Sequence, residues 1–518
     1  MRALVVAGLL VSVLGVVAAA EDKARLIILA DMGNEPDEMQ QMAHMLVCSD
    51  SFDLEGLIAV TGKFLHPGRE NPNKRRTQPE LFLELIDAYE HVRPNLQEHS
   101  EGWPEPDYLR SITKHGQAGY GIADVGEGRT SEGAQLILDV LAKPDARPIW
   151  VVVNAGSNTL AQALYELKTT RPAHELREAV AKLRVFENGS QDNAGAWITS
   201  EFPEIHWIRS NYQTYAYGGP GGGAGQAGRA AGPHKWQPFE YSVLGQHEWI
   251  AEHVQNNHGP LGAKYPERRF ERGGLGFIEG GGTVPWLGLV NRGLFDINQP
   301  AWGGWSGRFT REKVADFWSR HGDIRPDEER FAPFYTYREA GDVWTDPEDG
   351  TTYEGDYVPI WRFREAMYSD FRARMDWCVR PFSEANHHPR AAVDGDESDT
   401  IVRVSATPGQ DLSFSAAASS DPDGDILTFR WWIYQEAGTY PGRVLVHGAA
   451  SPEASLTVPT GARNQQIHLV LEVRDDHPEV RLTDYRRIVL DVSAHEPWSE
   501  SPQGRRPRQP DLLPIPRP

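Results

Sequence analysis

The sequence predicts a large α/β domain with a doubly wound, mostly parallel sheet, followed by a smaller all-β sandwich. From residue 25 onward, short apolar segments alternate with helical patterns, as in α/β layers. The run "RPIWVVVNAG" (147–156) is continuously apolar and ends in a glycine turn, which is typical of a central parallel strand. Beyond residue 393, short alternating segments are separated by turn signals such as "SDPDGD", which indicates a sandwich.

At 518 residues the chain is too long for one ordinary core, so it is expected to divide into several parts. The composition changes near residue 385, where "RPFSEANHHPRA" has the character of a linker. The predicted parts are a signal peptide at 1–20, an α/β domain at 21–380, a linker at 381–392, a β-sandwich at 393–495 and a disordered Pro-rich tail at 496–518.

The α/β elements follow one another in regular order. A strand ("RLIILA") leads into a helix with Pro36 in its first turn, and Thr130 or Ser131 can cap a later helix. Strands are also predicted in the segments "DLEGLIAVTG", "KLRVFENG" and "EIHWIRSN", and helices in "TSEGAQLILDVLAK" and "SNTLAQALYELKTT". Ligands of such sheets bind beyond the carboxyl ends of the strands, where Asp31, Asn154 and the segment 187–193 lie.

The N-terminal segment predicts export, and the net charge of the chain argues against nucleic-acid and membrane partners. One Arg, an apolar run and Ala18-Ala19-Ala20 form a secretory signal, so the mature protein is expected to be secreted or periplasmic and free of the membrane. A net charge of −21 repels nucleic acid and anionic lipid. The two cysteines, Cys48 and Cys378, cannot form a Cys-rich zinc site, and whether they pair stays open.

Familiar catalytic motifs are missing or have the wrong spacing. In "HEWIAEH" the histidines His247 and His253 are six residues apart, so they do not share a helix face as a zinc protease requires. No G-x-S-x-G elbow is present, and "GGLGFIEGGG" (273–282) does not match a dinucleotide fingerprint. The glycine-rich segment 218–232 is interpreted as a surface insertion or as a flap over the strand ends.

Four carboxylates crowd the end of the first strand: Asp31, Glu35, Asp37 and Glu38. Acidic residues at a helix start gain from the helix dipole, by roughly 0.3–1 kcal/mol, which accounts for the last three. It does not account for Asp31, which directly follows the buried run "LIILA". A hard cation with oxygen ligands, such as Ca²⁺, would cancel the repulsion within the cluster.

Several longer stretches resemble a known family. They include "DMGNEPDE", "NAGSNTLAQAL", "SQDNAGAWI", "NNHGPLGAKYP", "PAWGGWSGRF" and "SSDPDGDILTFRWWIYQEAGTYPG". Together they are similar to the secreted, cellulose-binding, nucleoside-hydrolase-like proteins that carry a C-terminal Ig/cadherin-like domain. The resemblance covers about residues 24–495.

The resemblance implies a role for each strand-end residue. Asp31 would be a Ca²⁺ ligand and the general base, with Glu38 and the backbone carbonyl of Asn154 as further ligands. The remaining residues would contact the sugar. Asp37 would bind the hydroxyls of the sugar, and Gln191, Asp192 and Asn193 would line the walls of the site. A metal-assisted water would then attack the anomeric carbon through an oxocarbenium-like state.

The sequence also departs from the nucleoside hydrolase pattern. The spacing from Asp31 to Asp37 is two residues longer, and Glu38 stands where Asp is usual. The stretch that normally supplies a late Asp ligand reads "FIEGGGTVP" and offers Glu279. The metal site is therefore expected to be rebuilt, weakened or absent.

Three functions remain open at this point. The first is a metal-assisted hydrolase of a glycosidic bond in a plant-type polysaccharide such as cellulose. The second is a non-catalytic polysaccharide-binding protein, and the third is a secreted nucleoside hydrolase. Trp302 and Trp305 flank a glycine pair and are expected either to stack on glycan or to lie in the core. Trp431 and Trp432 should face opposite sides of one strand.

Overall fold

The computed structural model describes residues 23–218, 248–266, 281–291, 293–314, 328–347 and 350–494. The predicted signal peptide, nearly all of the glycine-rich segment, Glu279 and the Pro-rich tail lie outside these residues. In the described ranges, no helix has the length and apolar character that a membrane crossing requires.

The strands of the α/β part are β1 (Ala24–Ala30), β2 (Phe52–Ala59), β3 (Thr113–His115), β4 (Ile149–Val153), β5 (Leu183–Asn188), β6 (His206–Ser210), β7 (Phe309–Val314), β8 (Phe334–Glu339), β9 (Asp342–Thr345) and β10 (Thr352–Gly355). The C-terminal strands are β11 (Val402–Ala406), β12 (Asp411–Ser415), β13 (Thr428–Ile433), β14 (Glu453–Thr457), β15 (Gln466–Arg474) and β16 (Thr483–Val492).

The α-helices are α1 (Asp37–Leu46), α2 (Glu80–His99), α3 (Pro106–Ser111), α4 (Glu132–Ala142), α5 (Asn158–Thr170), α6 (Ala173–Lys182), α7 (Ala194–Glu201), α8 (Gly259–Lys264), α9 (Val284–Leu287), α10 (Val358–Trp361) and α11 (Arg364–Trp377). Short 3₁₀ helices occupy Pro72–Lys74, Gly121–Asp124, Gln213–Ala216, Gly288–Val290, Pro300–Trp302 and Phe382–Glu384, and a π-helical turn occupies Ala251–Gln255.

The large sheet has the order β3-β2-β1-β4-β5-β6-β8-β7, and every neighbouring pair is parallel except β7–β8. This confirms the predicted doubly wound, mostly parallel α/β fold. Strand order reverses between β1 and β4, so a ligand crevice is expected at their carboxyl ends. Asp31 and Asn154 follow these two strands directly.

Alternation along β1 shows why this strand is apolar from Leu26 to Ala30. Leu26 and Ile28 belong to the core on one face of the sheet, whereas Ile27 and Leu29 belong to the core on the other. Both faces are covered, so apolar side chains are favoured on each, and the buried Arg25 at the start of the strand pairs with Glu55. At the helix that follows β3, the hydroxyl of Ser131 accepts a hydrogen bond from the Ala134 backbone N–H, which confirms the predicted cap.

The C-terminal region consists of a four-stranded sheet (β11-β16-β15-β13) and a two-stranded sheet (β12-β14), which confirms the predicted all-β region. One apolar core, which includes Phe414, Leu456, Trp431 and Leu471, is shared by the two sheets. The strands β11 to β16 of this region lie beyond residue 393, where the alternating segments of the sequence predict them. Trp431 lies in this core, as the alternation of the strand predicts.

The other face of the four-stranded sheet packs on the α/β part. Tyr434, Val470 and Tyr485 belong to the core of the large domain, and Trp432 packs against it, so Trp432 is a contact between the two parts. A buried polar cluster, called here the junction cluster, accompanies this contact. Asp342 accepts hydrogen bonds from Arg308 Nε (2.6 Å) and from the Tyr434 hydroxyl (2.8 Å), and it also pairs with Arg362 (3.3 Å).

Candidate functional site

The strand-end site is the group of polar side chains around Asp31 at the carboxyl ends of β1, β4 and β5. Asp31 is 2% exposed, and its Oδ2 atom is buried with no hydrogen-bond partner. Gly33, in the turn after it, has a φ of 88°, a left-handed conformation that favours glycine. Lys74 Nζ donates to the Asn34 carbonyl at 2.7 Å and so brings a positive charge to this turn.

The pKa of Asp31 is raised to about 8. Burial is the largest cause, because it disfavours the charged carboxylate, and the negative charges of Asp37 and Glu35 add to the effect. Lys74 opposes the rise only weakly. A carboxyl group with these surroundings is suited to accept a proton or to meet a cation.

Glu38 and Asn154 meet across the site. Glu38, in the first turn of α1, is buried, and its Oε2 atom lies 3.4 Å from both Asn154 Nδ2 and Gln41 Nε2. The Asn154 backbone N–H donates to the Leu29 carbonyl at 2.9 Å, which places Asn154 beside the end of β1. The predicted pair of Glu38 and Asn154 is thus brought together by the parallel pairing of β1 and β4.

Gln191 joins this group from the loop after β5. Its Nε2 atom donates to the Asn154 backbone carbonyl at 3.3 Å, and the Tyr120 hydroxyl donates to the Gln191 carbonyl at 2.8 Å. Gln191 Oε1 and Asn154 Oδ1 are both buried without a hydrogen-bond partner. Three unpartnered oxygens, including Asp31 Oδ2, therefore lie in neighbouring residues of the strand-end site.

A glycine pair covers the site and was not singled out by sequence reasoning. The Gly281 carbonyl accepts from Asn188 Nδ2 at 2.6 Å, and the Gly282 carbonyl lies 3.4 Å from Asn154 Nδ2. A Cβ atom on Gly282 would lie 2.7 Å from Gln41 Cγ, so a side chain there would collide. The glycine run in "FIEGGGTVP" is the signal that could have pointed to this close backbone approach.

Asp192 and Asn193 both hold backbone N–H groups next to the strand-end site. Asp192 is buried and accepts from the backbone N–H groups of Asn158 (3.2 Å) and Ala194 (2.9 Å), and burial raises its pKa to about 6. Asn193 Oδ1 accepts from the Ile122 backbone N–H at 2.9 Å. Both side chains therefore hold helix starts and loops in place, and their predicted role of lining a sugar site stays a prediction. Asp37 lies at the start of α1, next to Gly281, where its predicted role stays a prediction.

Trp302 and Trp305 are both buried, which is one of the two alternatives that the sequence leaves open. Trp305 lies in the core, and Trp302 packs edge-on against His468 of the C-terminal region, with Arg403 over its ring. Gly303, between them, has a φ of 74°, and a Cβ atom there would collide with the Tyr434 hydroxyl. "PAWGGWSGRF" is therefore a segment on which the C-terminal sheet docks.

The donor set at the strand ends fits a hard cation in part. Carboxylate and amide oxygens are the ligands that Ca²⁺ prefers, and three such oxygens lack partners here. Within the described part of the chain, however, Asp31, Asp37 and Glu38 do not bring three carboxylate oxygens within 4.8 Å of one another. Glu279, the remaining candidate ligand, lies outside the described residues.

The fold and the site define a nucleoside-hydrolase-like α/β domain joined to an all-β region, with acidic and amide side chains at the switch point of the sheet. The comparisons with known proteins agree. A family described as "Cellulose-binding Sde182, nucleoside hydrolase-like domain" matches residues 25–309, and one described as "Cellulose-binding protein Sde0182, C-terminal domain" matches residues 411–492. The chain belongs to this cellulose-binding, nucleoside hydrolase-like family.

Among solved structures, the chain is similar to a nucleoside hydrolase-related protein from Saccharophagus degradans that is described as associated with carbohydrate metabolism. The two are 34% identical, with a TM-score of 0.76, over 91% of this chain and 100% of the other. The effector protein XOO4466 is 10% identical over 70% of this chain and 95% of the other, with a TM-score of 0.34, which is too low to indicate a shared fold or function. No curated protein matches the chain.

Proposed function

We propose that this protein is exported to the periplasm or the medium, binds a cellulose-type polysaccharide and hydrolyses a glycosidic bond at the strand-end site. The observation that carries the catalytic part is the buried Asp31 carboxyl with an unpartnered oxygen. A buried polar atom without a partner costs about 1–3 kcal/mol of stability, so its presence is best explained by a ligand or a reaction. Membership in a cellulose-binding family supports the polysaccharide part.

In this proposal each strand-end residue has a distinct task. Asp31 accepts the proton of the attacking water, and Asp37 hydrogen-bonds to sugar hydroxyls. Gln191 positions the Asn154 carbonyl through its 3.3 Å hydrogen bond. Ca²⁺ would be held by Asp31, Glu38 and the oxygens of Asn154, where its positive charge would favour the ionised form of Asp31 and acidify a neighbouring water.

The polysaccharide surface is proposed to lie where the two parts of the molecule meet. With Trp302 and Trp305 buried, the half-buried Trp344 and Trp361 are better placed, since they line a cavity of about 310 Å³. Its other walls carry charged side chains of the C-terminal sheet, including Arg430 and Glu472. Indole rings with neighbouring charged hydrogen-bonding groups are suited to sugar rings and their hydroxyls.

A second candidate function is polysaccharide binding without catalysis. It is favoured by the incomplete donor set, because among the described residues Asp31, Asp37 and Glu38 do not bring three carboxylate oxygens within 4.8 Å of one another. The third candidate, a secreted nucleoside hydrolase, requires the same residues but a different substrate. The assay below separates all three.

The decisive experiment combines retention and release. The mature protein would be incubated with insoluble cellulose, with a panel of soluble β-linked glycans and with purine nucleosides, each with Ca²⁺ or with a chelator. We expect retention on cellulose and chelator-sensitive release of reducing sugar, which Asp31→Asn abolishes. Glu35→Gln, which removes a neighbouring charge, is the matched control and should keep activity.

Each other outcome points to a different conclusion. Retention without release in any arm supports the binding protein, and release of base from nucleosides alone supports the nucleoside hydrolase. Absence of retention on cellulose contradicts the proposal. For the surface, Trp344→Ala should weaken retention, whereas Tyr335→Ala, which removes another exposed aromatic ring, should not.

A further inference from the structure

Three metal-binding side chains converge in the core, away from the strand-end site. His44 lies in the last turn of α1, Cys48 lies one turn further on, and Asp370 lies on α11. A ring nitrogen of His44, Cys48 Sγ and an Asp370 carboxylate oxygen lie within 4.8 Å of one another. All three residues are buried. The spacing of four residues places His44 and Cys48 on one side of the same helical end.

The ligand atoms of this group are not consumed by other contacts. Asp370 Oδ1 accepts from Arg374 Nε and His388 Nε2, both at 2.7 Å, whereas Oδ2 faces Cys48 Sγ at 4.0 Å. His44 Nε2 is buried with no hydrogen-bond partner, and its other ring nitrogen lies 3.4 Å from the Tyr217 hydroxyl. The His44 imidazole therefore has one unpartnered nitrogen, and one of its two ring nitrogens lies beside a thiol and a carboxylate oxygen.

The one ligand distance that is known in this group is close to that of a metal site. Bond lengths of about 2.3 Å to sulfur and 2.0–2.2 Å to nitrogen or oxygen put the ligand atoms of tetrahedral Zn²⁺ about 3.3–3.7 Å apart. The observed 4.0 Å between Cys48 Sγ and Asp370 Oδ2 is within a few tenths of an ångström of that range. It is long for a strong hydrogen bond.

A divalent cation would balance the negative charges of the carboxylates and the thiolate around this group. Arg374 pairs with Asp370 and, through Nη1, with Asp50 at 2.9 Å. If Cys48 is a thiolate, its charge and those of Asp370 and Asp50 are neutralised by Arg374 together with a divalent ion. Arg374 and His388 also orient Asp370 from behind, as the outer partners of metal-ligating carboxylates do.

We propose that His44, Cys48 and Asp370 bind a transition-metal ion of intermediate softness, with Zn²⁺ as the best match to a nitrogen, sulfur and oxygen set. Burial of all three ligands favours a structural role for the ion, although three protein ligands leave one position of a tetrahedral ion open. The ion would link the end of α1 to α11, because Cys48 and Asp370 are 322 positions apart in the chain. Since α1 begins with Asp37 and Glu38, the ion would also fix the helix that carries the strand-end carboxylates.

The test measures metal content and does not depend on the proposed function. The mature protein, purified without chelator, should contain about one equivalent of zinc by mass spectrometry. After the metal is stripped, added Co²⁺ should produce the near-ultraviolet charge-transfer band of a cobalt–thiolate bond, which Ca²⁺ does not suppress. Wild-type protein that shows neither zinc nor this band would overturn the proposal without the need for a variant.

The two free cysteines provide a matched pair of variants. Cys48→Ser should lose the zinc and the cobalt band. Cys378→Ser should keep both, because Cys378 is equally buried but directs its thiol toward the Arg374 carbonyl at 3.6 Å. Equal metal binding by the two variants, or equal loss, would contradict the assignment to Cys48. Circular dichroism of both variants confirms that each is folded before metal is measured.

Discussion

Asp31 and Asp342 are equally buried, at 2% exposure, but have opposite surroundings. Asp342, in the junction cluster, has partners on both carboxylate oxygens: Arg308 on Oδ1, and Tyr434 and Arg362 on Oδ2. Asp31, at the strand ends, has an unpartnered Oδ2 and further carboxylates nearby. The same residue type is therefore part of a satisfied network in one place and of an incomplete network in the other.

The comparison separates a structural role from a functional one. A buried carboxylate that is fully paired holds its neighbours in one arrangement, and its removal leaves their charges uncompensated. A buried carboxylate with an unpartnered oxygen lowers stability, so it is best explained by what that oxygen binds or does. The junction cluster belongs to the first kind, and the strand-end site belongs to the second.

The largest expected effect is at the junction cluster. Asp342→Asn removes the charge that compensates Arg308 and Arg362, and we expect the free energy of unfolding to fall by about 3–5 kcal/mol. Urea denaturation followed by tryptophan fluorescence measures this change. A loss below about 1 kcal/mol would mean that the paired carboxylate does not hold the two parts together.

The next effect concerns the pH dependence of the junction. Burial, and to a lesser extent Arg487 and Arg403, lower the pKa of His468 to about 2 from an ordinary value of 6.5. The unfolded chain therefore binds a proton that the folded chain does not, so stability is present above pH 6.5 and is lost as the pH falls. By pH 5 the loss should be about 2 kcal/mol.

His468→Gln is the variant that checks this dependence. It removes the titrating group. The free energy of unfolding should therefore fall less between pH 7 and pH 5 in the variant than in the wild type, by about 2 kcal/mol. An unchanged pH dependence would show that His468 is protonated in the folded protein.

A smaller effect is expected at Glu38. Glu38→Asp restores the carboxylate that is usual in nucleoside hydrolases but shortens its reach toward Asn154 by one methylene. If the site is built around Glu38, Ca²⁺ affinity should fall about tenfold, or ~1.4 kcal/mol, in a calorimetric titration. Equal or tighter binding would instead indicate that Glu38 is left over from a lost metal site.

Local sequence patterns predicted most of the fold. Residues close in sequence determine the strand "IWVVV" and the helix that Ser131 caps. Local patterns therefore predicted both elements. The same reasoning singled out Asp31, because an acidic residue after a buried strand is unusual, whereas the metal-ligand role of Glu38 came from the family resemblance. Trp431 and Trp432 were assigned to opposite faces from alternation alone.

What could not be predicted depends on contacts between distant segments. Trp302 is buried only because His468 and Arg403, more than 100 residues later, pack on it. Local patterns also do not reveal that Asp192 accepts a hydrogen bond from the Asn158 backbone N–H, because the two residues are 34 positions apart. The polar character of a residue does not reveal whether partners will reach it, and this is the difference that separates Asp31 from Asp342.

The most direct test of the central claim measures the unfolding free energy of Asp31→Asn and Asp342→Asn with and without millimolar Ca²⁺. Wild-type protein should gain about 2.7 kcal/mol at a hundredfold excess of Ca²⁺ over its Kd. We expect Asp31→Asn to be at least as stable as the wild type without Ca²⁺ and to gain nothing from it. Asp342→Asn should lose stability but keep the gain. An Asp31→Asn variant that loses as much as Asp342→Asn, or that still responds to Ca²⁺, would contradict the account.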